Sequence, residues 1–172
     1  LALAYMLNFV WHIGNGDALS RTANAYYVIY SREPHLAAVG FVWPPLPSIL
    51  QIPLLPITKA LGSVIFTGNI ISSLFGAGTL VLMNRLLANL KFPPAVRWIL
   101  VGLLQFHPNT WYLFSAGMAE PIFLFLVMIA LIGLNLMPGS MRSWVFIGIS
   151  LAAAFLVRYE TLPILVAVSV AV

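Results

Sequence analysis

The chain has 172 residues, 62% of them hydrophobic and only 7% charged, with a formal net charge of +4 and a mean hydropathy of +1.01. Soluble domains carry about 25% charged residues, so a soluble domain is excluded; in lipid every backbone polar group must be satisfied internally, which selects an all-α, polytopic transmembrane helical bundle, because the apolar runs lack the alternation of a membrane barrel. The basic residues are scattered, which speaks against nucleic acid, and the absence of Cys removes disulfides, thiol nucleophiles and thiolate metal sites.

Residues 1–14 form a first apolar segment, short against the roughly 20 residues needed to span a bilayer. The sequence opens at Leu1 without Met and stops in an apolar run, so the chain (residues 1–172) reads as one transmembrane domain and as a piece of a longer protein. The first segment has no basic n-region and reads as a truncated membrane helix rather than a signal peptide. His12, near its end, reads as an interface histidine.

The only long polar interval follows, NGDALSRTANAYYVIYSREPHLAAVGFVWPPLP. Asn15-Gly16 breaks the apolar run, Asp17 caps a helix or occupies its first turn, and Pro34 ends the pattern, which predicts a helix over 17–31. At 3.6 residues per turn Asp17, Ser20, Arg21 and Asn24 share one face, while Leu19, Ala23, Tyr26, Tyr27 and Tyr30 fill much of the rest. Such a helix suits a membrane surface. Pro44, Pro45, Pro47, Pro53 and Pro56 then exclude a straight span and predict a broken, partly re-entrant or interfacial segment, ending at Gly62.

If 45–61 crosses the membrane, Arg85, Lys91 and Arg97 share the side of the polar loop; if it lies at the interface, they face the opposite side. The positive-inside rule prefers the second. The expected spans are therefore 1–14, 64–84, 97–113, 121–137 and 144–166, about five, with an outer loop over 15–62 carrying interfacial helices. Arg85, Lys91, Arg97 and Arg142 face the cytoplasm, whereas Asp17, Arg21, Arg32, Glu33 and Glu120 lie outside. Gly68, Ser72, Ser73, Gly76 and Gly78 let the second span approach its neighbours. Lys91-Phe92-Pro93-Pro94 and Pro138-Gly139-Ser140 are the inner turns, and Pro121 starts the fourth span at a permitted first-turn position.

The last span holds Arg158-Tyr159-Glu160. Counting about 1.5 Å per residue from Trp144 puts Arg158 about 21 Å up, in the outer half of the bilayer. An ionisable residue there is a functional-site hypothesis, against a structural ion pair with a neighbouring helix or snorkelling to the interface. On an unbroken helix Arg158 and Glu160 lie about 200° apart and cannot simply pair with each other.

Asp17, Glu120 and Arg158 thus converge on one membrane face from three segments. There is no phosphate-cradling Gly-rich loop, nucleophile elbow or zinc spacing. A carboxylate at the lipid–water boundary can deprotonate a hydroxyl, while an arginine, or a divalent ion held by carboxylates, neutralises a leaving phosphate. The structural alternatives are an Asp17 cap bridged to Arg21 at i+4 and a Glu120 favourable at a helix N-terminus. Trp43, Trp111 and Tyr112 fit an interfacial aromatic belt.

The order of these features resembles the N-terminal half of the membrane-embedded GT-C glycosyltransferases. The residues that carry the likeness are NGDALSR in the first outer loop, WPPLPSIL after it, a basic inner helix end in LVLMNRLLANL, an acid opening a later helix in HPNTWYLFSAGMAEPIFLFL, and a basic residue in LAAAFLVRYETLP. The loop is similar to the protein mannosyltransferase and aminoarabinose transferase branch, and residues 107–125 to a segment of the GPI-anchor mannosyltransferases. The resemblance implies an inverting enzyme of a bacterial or archaeal cell membrane. It would move a hexose or mannose-like sugar from a polyprenyl-phosphate carrier to an acceptor glycan, lipid or protein on the extracytoplasmic side.

Carried over by position, Asp17 would be the general base, and Glu120 and Arg158 would serve the donor phosphate. Arg21, His35 and His107 would be acceptor or loop contacts. A divalent metal, Mg2+ or Mn2+, would sit at Asp17 and Glu120. The chain departs from the pattern in having one Asp where many members have an Asp-Glu pair, and Trp43 where some have a metal-ligating acid. The alternatives are a transporter or lipid-linked-substrate flippase, with Arg158 and Glu160 lining its path, and a structural membrane subunit.

Overall fold

The computed structural model describes residues 1–40, 42–136 and 141–171, and among them all regular structure is helical. The inner turn expected at Pro138-Gly139-Ser140 lies outside the described residues. Helix α1 (Ala2–Tyr5) runs into a π-helical turn at Met6–Val10 and stops at Trp11, after which His12 takes a left-handed φ of 52°. Helix α2 (Gly16–Tyr30) falls one residue earlier than the sequence indicates. Its cap is Asn15, whose side-chain oxygen accepts the Asp17 N–H at 2.9 Å; Asp17 occupies the first turn, where its charge complements the helix dipole.

After a 3₁₀ turn at Leu36–Val39, the proline-rich stretch is broken as expected, into α3 (Leu46–Gln51), a 3₁₀ turn at Ile52–Leu54, and α4 (Leu55–Ala60). Each piece has a proline in its first two positions, where the missing N–H has no partner to lose. Gly62, at φ 95°, ends the series. Helix α5 (Phe66–Asn89) is the longest element among the described residues and the one long and apolar enough to cross a membrane. It closes on Lys91, whose positive φ of 62° lets Phe92 N–H return to the Leu87 carbonyl at 3.1 Å.

Two expected spans are not single helices. The segment 97–113 divides into α6 (Pro94–Phe106) and α7 (Pro108–Leu113), because Pro108 forces His107 into an extended conformation with ψ 125°. Helix α8 (Glu120–Leu136) is continuous. The segment 144–166 divides into α9 (Met141–Phe155) and α10 (Thr161–Ala171). Pro163 cannot follow an unbroken helix, since its ring would meet the carbonyl of Tyr159. The Leu156 carbonyl, freed at the break, accepts the N–H of Leu46 at 3.0 Å, and the Arg158 carbonyl accepts the Thr161 hydroxyl at 2.8 Å.

Helices α5, α8 and α9 pack side by side, and α2 crosses α3 and α5. The central apolar cluster, Ile71, Ala119, Ile122 and Val157, takes Leu46, Leu50 and Leu54 from the proline-rich segment and so fixes that segment over the ends of α8 and α9. Close approach needs glycine: a Cβ on Gly76 would lie 2.5 Å from the Phe114 ring, and one on Gly78 2.6 Å from Phe125. Buried polar pairs supply direction that apolar packing lacks. Thr22 donates to Gln51 Oε1 at 2.7 Å, Thr58 and Thr67 share a hydroxyl contact of 2.5 Å, and the Asn69 amide donates to the Ser115 carbonyl at 2.8 Å.

Candidate functional site

Four of the residues named from sequence come together where α2, α8 and the α9–α10 break meet. Glu120 is the first residue of α8, and Arg158 stands in the break after the exposed Leu156 and the buried Val157. Arg158 Nη1 forms a short ion pair with Glu120 Oε1. The opposite edge of the same guanidinium reaches Glu160 Oε1, from Nη2 at 2.6 Å and from Nε at 3.2 Å. The expectation that Arg158 and Glu160 cannot pair is therefore corrected: the 200° separation presupposes an intact helix, and both residues stand in the break between α9 and α10. The carboxylates of Glu120 and Glu160 together outweigh the single charge of Arg158.

Arg21 is differently placed. It projects from the second turn of α2 and is only 4% exposed, yet Nε and Nη1 have no hydrogen-bond partner. Its guanidinium lies 5.4 Å from the centre of the Trp43 ring, a cation–π contact that holds the WPPLP segment against α2. Burial pushes its pKa below the ordinary arginine value; the fields of the Asp17 and Glu120 carboxylates oppose this, and the Arg158 charge adds to it. These influences put Asp17, Glu120, Arg158 and Arg21 within one electrostatic neighbourhood. No Asp17–Arg21 ion pair forms among the described residues, so the capping-bridge alternative fails: Asn15 is the cap and Asp17 keeps its carboxylate free, half-buried.

His35 and His107 are not part of this set. His35 Nδ1 contacts the Glu33 carbonyl at 2.6 Å, in a surface groove of about 400 Å3 shared with Tyr27, Arg32 and Glu33. His107 is exposed at the α6–α7 break, where its carbonyl accepts the Trp111 N–H at 3.0 Å. A divalent metal at Asp17 and Glu120 would have two carboxylates at most, with Glu120 Oε2 buried and unpartnered, a donor number that Mg2+ takes only beside a substrate phosphate. Among the described residues no three His, Cys, Asp or Glu side chains gather, one Glu120 oxygen is held by Arg158, and two arginines already supply positive charge.

Sequence reasoning missed two things here. Trp43 reads as an interfacial aromatic, and its stacking on Arg21 is invisible because the two are joined only by tertiary structure. Glu160 was set aside as a partner of Arg158; Pro163, three residues on, was the signal that the helix geometry would not hold. No family model, no curated protein and no solved structure matches this chain.

Proposed function

We propose that this protein is a multi-pass membrane glycosyltransferase of GT-C type, which moves a sugar from a polyprenyl-phosphate carrier to a hydroxyl acceptor at the extracytoplasmic face. The observation that carries the reading is the buried, unpartnered guanidinium of Arg21 beside the free carboxylate of Asp17. A buried arginine without an anion is costly, and a phosphate oxygen pair matches its fork geometry. Arg158, already held by Glu120 and Glu160, adds to the local field and gives the site its shape. The polytopic part of the reading rests on the apolar exterior: Trp98 is 65% exposed and Phe106 78% on α6, and Phe146 64% on α9, rings that the two helices would otherwise present to water.

In the proposed reaction the Asp17 carboxylate takes the proton of the acceptor hydroxyl while that oxygen attacks the anomeric carbon. The carbon–oxygen bond to the phosphate breaks, with inversion, and the electron pair leaves on polyprenyl phosphate. Arg21 meets the second negative charge that develops on the phosphate. Glu120 orients Arg158 through their ion pair. Trp43 holds Arg21 in place and seals one side of the site.

The test is transfer of radiolabelled sugar from polyprenyl-phosphate donors by the protein in proteoliposomes. Asp17→Asn is expected to lower the transfer rate by roughly a hundredfold or more, the usual worth of a general base. Equal transfer by wild type and Asp17→Asn would remove Asp17 from the chemistry. The broken helices at His107 and at Arg158, with an ion pair at the second, favour a second reading, a flippase for the lipid-linked sugar. It predicts movement of donor across the bilayer and no transfer with any acceptor.

A further inference from the structure

We infer that the groove at the end of α1 binds a neutral saccharide by a pair of hydroxyls, which, on the reading above, makes it the acceptor site. The groove has a volume of about 460 Å3 and runs between the π-helical turn, the entry to α2 and the turn at Gly62. One wall is apolar, formed by Phe9, Ile13 and Leu19; the other carries Asn8, His12 and Ser63. Among its lining residues there is no Asp, Glu, Lys or Arg, so the groove offers nothing to a phosphate or carboxylate beyond the histidine.

The polar wall is preset. The Ser63 hydroxyl donates to Asn8 Oδ1 at 3.1 Å, which uses its one proton and leaves its oxygen to accept. His12 Nδ1 lies 3.1 Å from the Asn8 carbonyl. A carbonyl only accepts, so this nitrogen carries the proton, and in the neutral ring Nε2 is left as an acceptor. A sugar hydroxyl both donates and accepts. One such hydroxyl donates to His12 Nε2 and a second to the Ser63 oxygen, while the C–H face of the ring suits the wall of Phe9 and Leu19. Two backbone irregularities hold this arrangement: the π-helical turn at Met6–Val10 and the left-handed φ of 52° at His12. Both kinds of feature are enriched at functional sites. Gly14 also lines the groove, which brings it to the N-terminal approach of α2, three positions before Asp17.

The test is saturation-transfer NMR of methyl α-D-glucopyranoside on the protein in lipid nanodiscs, with a second arm in which glucosyl-diacylglycerol in the disc competes. Wild type is expected to bind saturably, and loss of either polar group to weaken binding by up to about tenfold. Asn8→Leu removes the amide that holds the Ser63 hydroxyl. His12→Gly removes the imidazole and suits the positive φ, so a histidine with only a structural role predicts an undiminished signal with a lowered melting temperature. Competition by the glycolipid assigns the groove to a lipid headgroup, and its absence to a free sugar. No saturation by wild type, or equal signals from wild type and both variants, overturns the inference. Saturation without transfer in proteoliposomes keeps the saccharide groove and removes the acceptor role alone.

Discussion

Two arginines in the site are held in opposite ways, and the difference sets what each substitution should do. Arg158 is clasped by two carboxylates, whereas Arg21 has a ring on one face and unpartnered N–H groups at its edge. Glu160 is largely exposed, so its half of the clasp is worth about 1 kcal/mol or less, and Glu160→Gln should leave both melting and transfer near wild type. Glu120→Gln should be more damaging, because it frees Arg158 to swing. Arg21→Gln should raise the donor KM by about tenfold or more, as expected for losing a desolvated cation from an ion pair, and Arg21→Lys should rescue it only in part. Donor titrations in proteoliposomes read both effects. An Arg21→Gln variant with unchanged KM would take the phosphate away from this residue.

At the scale of elements, legibility followed the punctuation of the chain. Helix α2 was readable because Asn15-Gly16 and Pro34 bracket it, and the broken stretch over 46–60 because its prolines recur every few residues. The breaks at His107 and between α9 and α10 were not, since hydropathy runs on through both and a span count depends on hydropathy. Pro108 and Pro163 marked them, each acting on the backbone just before it. The second break matters most, because it turns Arg158 and Glu160 from residues on opposite sides of a helix into partners. Helix packing was legible in part: the small residues of 64–84 announced close contact, but only the structure matches Gly76 with Phe114 and Gly78 with Phe125. Gly76→Ala should therefore destabilise the protein by about 1–3 kcal/mol, because the ring it meets is buried and has little room to shift. Gly102→Ala, where the added methyl meets nothing within 4 Å, is the control in the same thermal melt.

For the whole molecule, the proposed topology puts the polar loop and the α5–α6 turn on opposite sides of the membrane. The sequence has no cysteine, so single cysteines report this directly. His35→Cys should react with an impermeant maleimide on intact cells, and Lys91→Cys only after permeabilisation. Labelling of both from outside would mean that the proline-rich segment crosses the bilayer. It would also move Arg85, Lys91 and Arg97 to the outer face, against the positive-inside rule.

The backbone bond from Leu46 to Leu156 adds a constraint of time to one of space. Its two ends are far apart in sequence, and Val157 beside it completes the apolar cluster on which Leu46, Leu50 and Leu54 rest. During synthesis the outer loop emerges long before the residues that anchor it. Asp17 and Arg21 must therefore wait, on an undocked loop, for α9 and the turn after it to arrive. Ribosome-bound chains halted before residue 156 should accordingly show Trp43 and its loop open to protease, and longer ones should show them closed.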